Sequence, residues 1–166
     1  MNFPAQYFRA GVGAVIVNDA GLVLALERVD IPEAWQLPQG GLEAGEEPLQ
    51  AVFREMAEET AIPASVLQLV VASPELLVYE LPPMARSKKT GRGQVQYWFF
   101  FRFLGSDDAI DVRSGGEFRS WQWMPFANLL ESAADFRKPV YRRLKEEHHC
   151  YFSKPEVAGA DSTGSS

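Results

Sequence analysis

The 166-residue chain contains a single cysteine and two histidines, and it has no surplus of basic residues. Each shortage excludes a class of function. Cys150 alone rules out an intramolecular disulfide framework and suits a reducing compartment. His148 and His149 stand beside it at the end of an expected helix, where attraction to the negative helix terminus is sufficient reason for them. They support neither a Ser-His-Asp or Cys-His nucleophile nor a zinc site. No apolar run approaches the ~20 residues a membrane-spanning helix needs. With 16 Lys and Arg against 22 Asp and Glu, the formal net charge is −6, which opposes broad, nonspecific contact with a nucleic-acid backbone. Neither DNA nor a membrane is an expected partner, and no protein partner can be inferred. The N-terminus "MNFPAQYFRAGVGAVIV" has neither a signal-peptide pattern nor the Arg/Ser-rich composition of a transit peptide. The expected location is cytoplasmic, with an organellar stroma as the alternative if a transit peptide has been removed.

What remains is a chain that is 46% hydrophobic and 23% charged, enough to bury one core. One domain is expected over residues 1–152, followed by a small, polar tail over residues 153–166 with too little apolar surface to order itself. "VGAVIVN", "DAG" and "LVLALER" predict a hairpin with strands at 12–17 and 22–27. Residues 35–37 predict a short strand leading into a Gly40-Gly41 loop. Further strands are expected at 67–72, 76–81, 95–104 and across "FRSWQWM". Helices are expected from Pro48 to Thr60, ended by Pro63, and from Lys138 to His149, with a helical turn near Leu129. Strands scattered among two good helices indicate an α+β fold.

Charge along this chain is uneven. Acid gathers from Glu43 to Glu59, flanked by one basic cluster at Arg86, Lys88, Lys89 and Arg92 and another at Arg137, Lys138, Arg142, Arg143 and Lys145. On the 48–60 helix, Leu49, Val52, Phe53 and Met56 form the expected core stripe. Glu55, Glu58 and Glu59 then share a different face at spacings i, i+3 and i+4, so Glu55 and Glu59 repel by ~0.2–0.5 kcal/mol. Glu58 and Glu59 also occupy the last turn, where the macrodipole disfavours acids. Arg54 can relieve part of this repulsion by pairing with Glu58. A divalent cation removes the conflict altogether, since carboxylates on adjacent turns are hard ligands suited to Mg²⁺ or Mn²⁺. Just upstream, Gly40 and Gly41 allow close backbone approach, and Glu46 and Glu47 suit a helix N-terminus.

Gly40, Glu46 and "REMAEETAI" at 54–62 together resemble the Nudix box, G-x5-E-x7-R-E-U-x-E-E-x-G-U, where U is apolar. Every charged position matches at its spacing; Ala61 stands in place of the usual glycine, a departure that bears on the helix end. "AWQLPQGG", "LLVYELPP", "GQVQYWFFF", "EFRSWQW" and "DFRKPVYRRL" are similar to the branch containing bacterial RNA pyrophosphohydrolases and plant-type diadenosine tetraphosphate hydrolases. The resemblance implies a Nudix-type α/β/α sandwich around a mixed sheet. It implies metal binding by Glu55, Glu58, Glu59, the Gly40 carbonyl and Glu117. Glu58 or Glu117 would serve as base, and Arg54 would orient the acids. It also implies base stacking on Phe136 and phosphate contacts from Arg9, Arg28, Tyr79 and Lys138. Tyr97 stands where relatives often carry lysine.

The implied activity is metal-dependent attack of water on a phosphoanhydride, with Mg²⁺ or Mn²⁺ as cofactor. Dinucleoside polyphosphates such as diadenosine tetraphosphate, cleaved to ATP and AMP, rank first as substrate. Conversion of 5′-triphosphate RNA to the monophosphate ranks second and guanosine alarmones third. A non-catalytic nucleotide-binding module ranks last, because all the box acids are present.

Overall fold

The computed structural model describes residues 6–152; the tail at 153–166 lies outside the described residues. Strand β1 (Phe8–Val17) runs parallel to β7 (Gly93–Phe103) over ten registered pairs, from Phe8↔Gly93 to Val17↔Arg102. These two strands form the centre of the sheet. On the far edge of β7, β5 (Leu67–Ala72) and β6 (Leu77–Glu80) pair antiparallel with its second and first halves. On the other side of β1 lie β2 (Val23–Arg28) and β4 (Gln39–Gly41), and β2 in turn pairs with β3 (Trp35–Gln36) and β8 (Phe118–Met124). The sheet is therefore mixed.

Alternation along the central strands explains why both faces are covered. Val12, Ala14 and Ile16 with Phe99, Phe101 and Phe103 face one core, completed by Ala51, Val52 and Met56 of helix α1 (Pro48–Thr60). Val15 and Val17 with Trp98 and Phe100 face another, completed by Leu129 of α2 (Phe126–Ser132) and Val140, Tyr141 and Leu144 of α3 (Lys138–Phe152). Side chains at successive positions of a strand point to opposite faces, so two apolar sets require a helical layer on each side. This is the α/β/α sandwich around a mixed sheet.

Several local expectations are corrected. Leu49 is 38% exposed and lies outside the core stripe, whereas Glu55 is only 9% exposed. Residues 39–41 form strand β4 instead of a loop, because Gly41, Gly40 and Gln39 pair with Gly11, Val12 and Gly13 of β1. The expected hairpin joins β1 and β2 only at Val17↔Val23; farther along, the same edge of β2 pairs with β3 at Leu26 and Glu27, and that edge of β1 pairs with β4 at Gly11–Gly13. Helix α1 spans the expected Pro48–Thr60, but its stop is made at Ala61, ahead of Pro63: Ala61 adopts a left-handed conformation at φ 60° and its N–H donates to the Ala57 carbonyl at 3.1 Å.

Candidate active site

The site is assembled where β4, the middle and end of α1, and the start of β8 meet. Gly40 sits so close to α1 that a Cβ there would occupy the position of the Glu55 carboxylate. Any larger residue would have to displace that carboxylate from its place against the strand. From the opposite face, the buried Tyr141 hydroxyl accepts a hydrogen bond from the Leu37 N–H at 2.9 Å, fixing the approach to β4.

Arg54 ties the acidic segment together. Its Nε and Nη2 each reach Glu46 at 2.8 Å, Nη2 also donates to the Gly41 carbonyl at 2.8 Å, and Nη1 reaches Glu55 at 2.8 Å and Glu58 at 3.3 Å. Such use of a planar fork with several donors is available to arginine alone. The pairing holds the Glu46 carboxyl down at about 2 and raises the arginine further above its ordinary value. Glu46, expected to serve the helix N-terminus, thus acts through Arg54.

Glu55 and Glu59 behave oppositely to Glu46. Burial raises Glu55, with Arg54 opposing the shift. Burial pushes Glu59 up to about 9, and the neighbouring Glu55 and Glu117 carboxylates add to it, against one hydrogen bond from the Gln39 N–H at 3.3 Å. Glu58 and Glu117 are exposed, and all four acids line one cavity with Gly115 and Phe118. Among the described residues, no three acidic, histidine or cysteine side chains are gathered closely enough to enclose a metal ion as they stand. The donor set nevertheless fits a hard divalent cation: four carboxylates converge on one cavity, one of them, Glu59, half-buried without a cationic partner, beside the Gly40 backbone.

A cleft of about 530 Å³ brings these acids opposite Arg9, Arg28, Tyr79 and Arg137, together with Gln39 and Gln94. Arg28 is also held by Asp30 at 2.8 Å and Gln36 at 3.2 Å. Phe136 lines an adjoining cavity of about 260 Å³ with Ile31 and Trp35. Its ring lies 5.5 Å from that of Tyr79, and the Arg137 guanidinium stands 4.7 Å over it. Lys138 lines neither cavity and pairs with Asp135 at 3.3 Å; its neighbour Arg137 is the basic side chain that reaches the cleft. Tyr97 is exposed at 38% and does not line the cleft. Sequence reasoning missed Arg137, Gln39 and Gln94 as cleft residues. The signals were present, in the "PQGG" that precedes the helix and in the two-residue alternation of "GQVQYW".

A mixed sheet between helical layers, with a helix-borne carboxylate set facing arginines across a cleft, defines a hydrolase of the Nudix type. The chain belongs to the Nudix family: the NUDIX domain matches residues 7–144. It is 39% identical over 142 residues to an RNA pyrophosphohydrolase of Cereibacter sphaeroides, covering 82% of this chain and 88% of that protein. It is 36% identical over 154 residues to Nudix hydrolase 26, chloroplastic, of Arabidopsis thaliana, covering 87% and 70%. The fold is shared with a C. elegans Ap4A hydrolase at TM-score 0.64 and 23% identity, over 84% of this chain and 96% of that one. Nudix hydrolases generally use divalent metal ions, and no helix among the described residues is long and apolar enough to cross a membrane.

Proposed function

We propose that this pyrophosphohydrolase converts 5′-triphosphorylated RNA to 5′-monophosphorylated RNA. One observation carries the reading: the carboxylate cleft and the Phe136 cavity share Arg28, Gln36, Leu81, Thr90 and Arg137 as walls. A terminal nucleotide can therefore place a base against Phe136 while its phosphates lie beside the arginines and acids. The similarity to RNA pyrophosphohydrolases supports RNA ends above the dinucleoside polyphosphates that the sequence ranks first.

Glu55, Glu58, Glu59 and the Gly40 carbonyl are the groups assigned to hold Mg²⁺ or Mn²⁺, with Glu117 beside them in the same cavity. When bound, that ion supplies charge neutralisation at phosphate oxygens and a more acidic water. The chain's own groups do the rest. Arg9, Arg28 and Arg137 bind and orient the phosphates, Phe136 stacks on the base, and Arg54 fixes the acids. Water adds to phosphorus, the bond between the α and β phosphoryl groups breaks, and pyrophosphate leaves. Glu55 and Glu59 are buried or hydrogen-bonded, and Glu58 is engaged by Arg54. Glu117 carries the proton away on this reading, because its carboxylate accepts no hydrogen bond from the described residues.

Asymmetric cleavage of diadenosine tetraphosphate to ATP and AMP is the second reading. It is favoured by the "RVDIPEAW" loop, similar to that of plant-type enzymes, whose Ile31 and Trp35 line the aromatic cavity. The test compares kcat/KM for both substrates with Mg²⁺. Faster release of pyrophosphate from the RNA is expected; faster release of ATP and AMP from the dinucleotide would reverse the order.

A further inference from the structure

Beneath the cleft runs a buried chain of polar side chains. Trp98 Nε1 donates to Gln96 Oε1 at 3.2 Å, and Gln96 Nε2 donates to Gln39 Oε1 at 3.2 Å and to Gln94 Oε1 at 3.0 Å. Gln39 Nε2 then donates to the Tyr79 hydroxyl at 3.4 Å. Gln96 is fully buried and lines no part of the cleft, whereas Gln39, Gln94 and Tyr79 all line it. Room for the indole comes from Gly13, where any Cβ would collide with the Trp98 ring.

The direction of every bond in this chain follows from its first member. An indole N–H can only donate, so the Gln96 atom facing it is the carbonyl oxygen. The Gln96 NH₂ group must then face its two neighbours, which turn their carbonyl oxygens inward to receive it. Gln39 and Gln94 are left with their NH₂ groups directed away from Gln96. The Tyr79 oxygen, having accepted from Gln39, keeps its proton to give. A single obligate donor in the core thereby biases the outer ends of three side chains toward donation.

We infer that Trp98 and Gln96 are positioning residues that hold Gln39, Gln94 and Tyr79 as a wall of hydrogen-bond donors for the phosphate oxygens of the substrate. This deepens the pyrophosphohydrolase reading and rests on it. A polyphosphate carries acceptors along its length and, when ionised, no donors, so a wall fixed in this sense selects it. An amide free to turn over would present its oxygen as often as its nitrogen and repel the same group.

Trp98→Phe keeps an aromatic ring and removes the donor that sets the direction. Gln96→Glu goes further, since two acceptor oxygens favour turning Gln39 and Gln94 so that their carbonyls face the cleft. Binding of inorganic pyrophosphate in the presence of Mg²⁺ should weaken about 5-fold in Trp98→Phe and more than 10-fold in Gln96→Glu. KM should rise while kcat changes less than 3-fold. A merely structural role would lower the melting temperature and leave pyrophosphate affinity and KM within 2-fold of wild type, and that result overturns the proposal. If neither variant folds, the wild type decides by side-chain amide NMR. Pyrophosphate should shift the Gln39 and Gln94 NH₂ resonances strongly and those of Gln96 little; unmoved Gln39 and Gln94 signals overturn the wall. Turnover of triphosphate RNA, measured alongside, separates the two ideas. Intact pyrophosphate effects without RNA turnover would sink the RNA reading and leave the donor wall standing.

Discussion

At the scale of the residue, Arg54 shows how far a helical spacing argument reaches. Sequence places it one turn before Glu58, and the observed 3.3 Å pair follows from that spacing. Its contacts with Glu46 and the Gly41 carbonyl could not be read locally, because they depend on how the preceding loop folds back. Lysine in its place keeps the charge but cannot serve the loop and two helix acids together. Arg54→Lys is therefore expected to raise the Mg²⁺ concentration for half-maximal activity and lower kcat/KM at least ~10-fold, since orientation is the function lost. A metal titration of activity checks this; an unchanged Mg²⁺ requirement would remove Arg54 from the site. Glu117→Gln should cut kcat by ~10²–10⁴ while isothermal titration shows Mg²⁺ still bound. Loss of metal binding in that variant would make Glu117 a ligand instead of the proton acceptor. Lys138 and Arg137 illustrate the limit. Adjacent basic residues at a helix entry differ by about 100° in direction, and only the helix start decides which one faces the cleft.

At the scale of the element, α1 was legible to its ends because Pro48 at its first turn, its apolar spacing and its acidic face all agree. Strand β4 was not. Its three residues carry no alternation of their own, and it exists because Gly11–Gly13 of a distant strand offer it hydrogen bonds. The parallel pairing of β1 with β7 is likewise a contact across most of the chain. The end of α1 carries a cost that the sequence does disclose. Ala61 occupies the left-handed position at φ 60°, where a Cβ is disfavoured and glycine is not. Ala61→Gly should raise stability by about 0.5–1 kcal/mol, or ~1–4 °C in a chain of this size. Thermal melts check it. An unchanged or lower melting temperature would mean that the greater flexibility of glycine in the unfolded chain offsets the relief.

At the scale of the whole molecule, two apolar cores hold a sheet between helical layers, and that frame lets a half-buried carboxylate persist where it is electrostatically disfavoured. Glu59 is pushed from an ordinary 4.5 to about 9 by burial and then by Glu55 and Glu117. The folded protein therefore favours the protonated form more than the unfolded chain does. Stability from this group is complete below about pH 4.5 and is lost as pH rises toward 9. A divalent cation reverses the preference, because it binds the charged form and competes with the proton. In EDTA, the melting temperature should fall from pH 5 to pH 9, and the rise produced by saturating Mg²⁺ should grow over the same interval. Glu46, held at about 2 by Arg54, loses its contribution only as pH falls below 4.5 and so stays outside this window. His148, lowered by burial, acts in the opposite sense near its ordinary 6.5. Glu59→Gln retains His148 and Glu55, which burial also raises, so the difference between the wild-type and variant melting curves reports Glu59 together with its repulsion of Glu55. If the two curves run parallel from pH 5 to pH 9 in EDTA, the Glu59 carboxylate is not the group that opposes the metal-free fold.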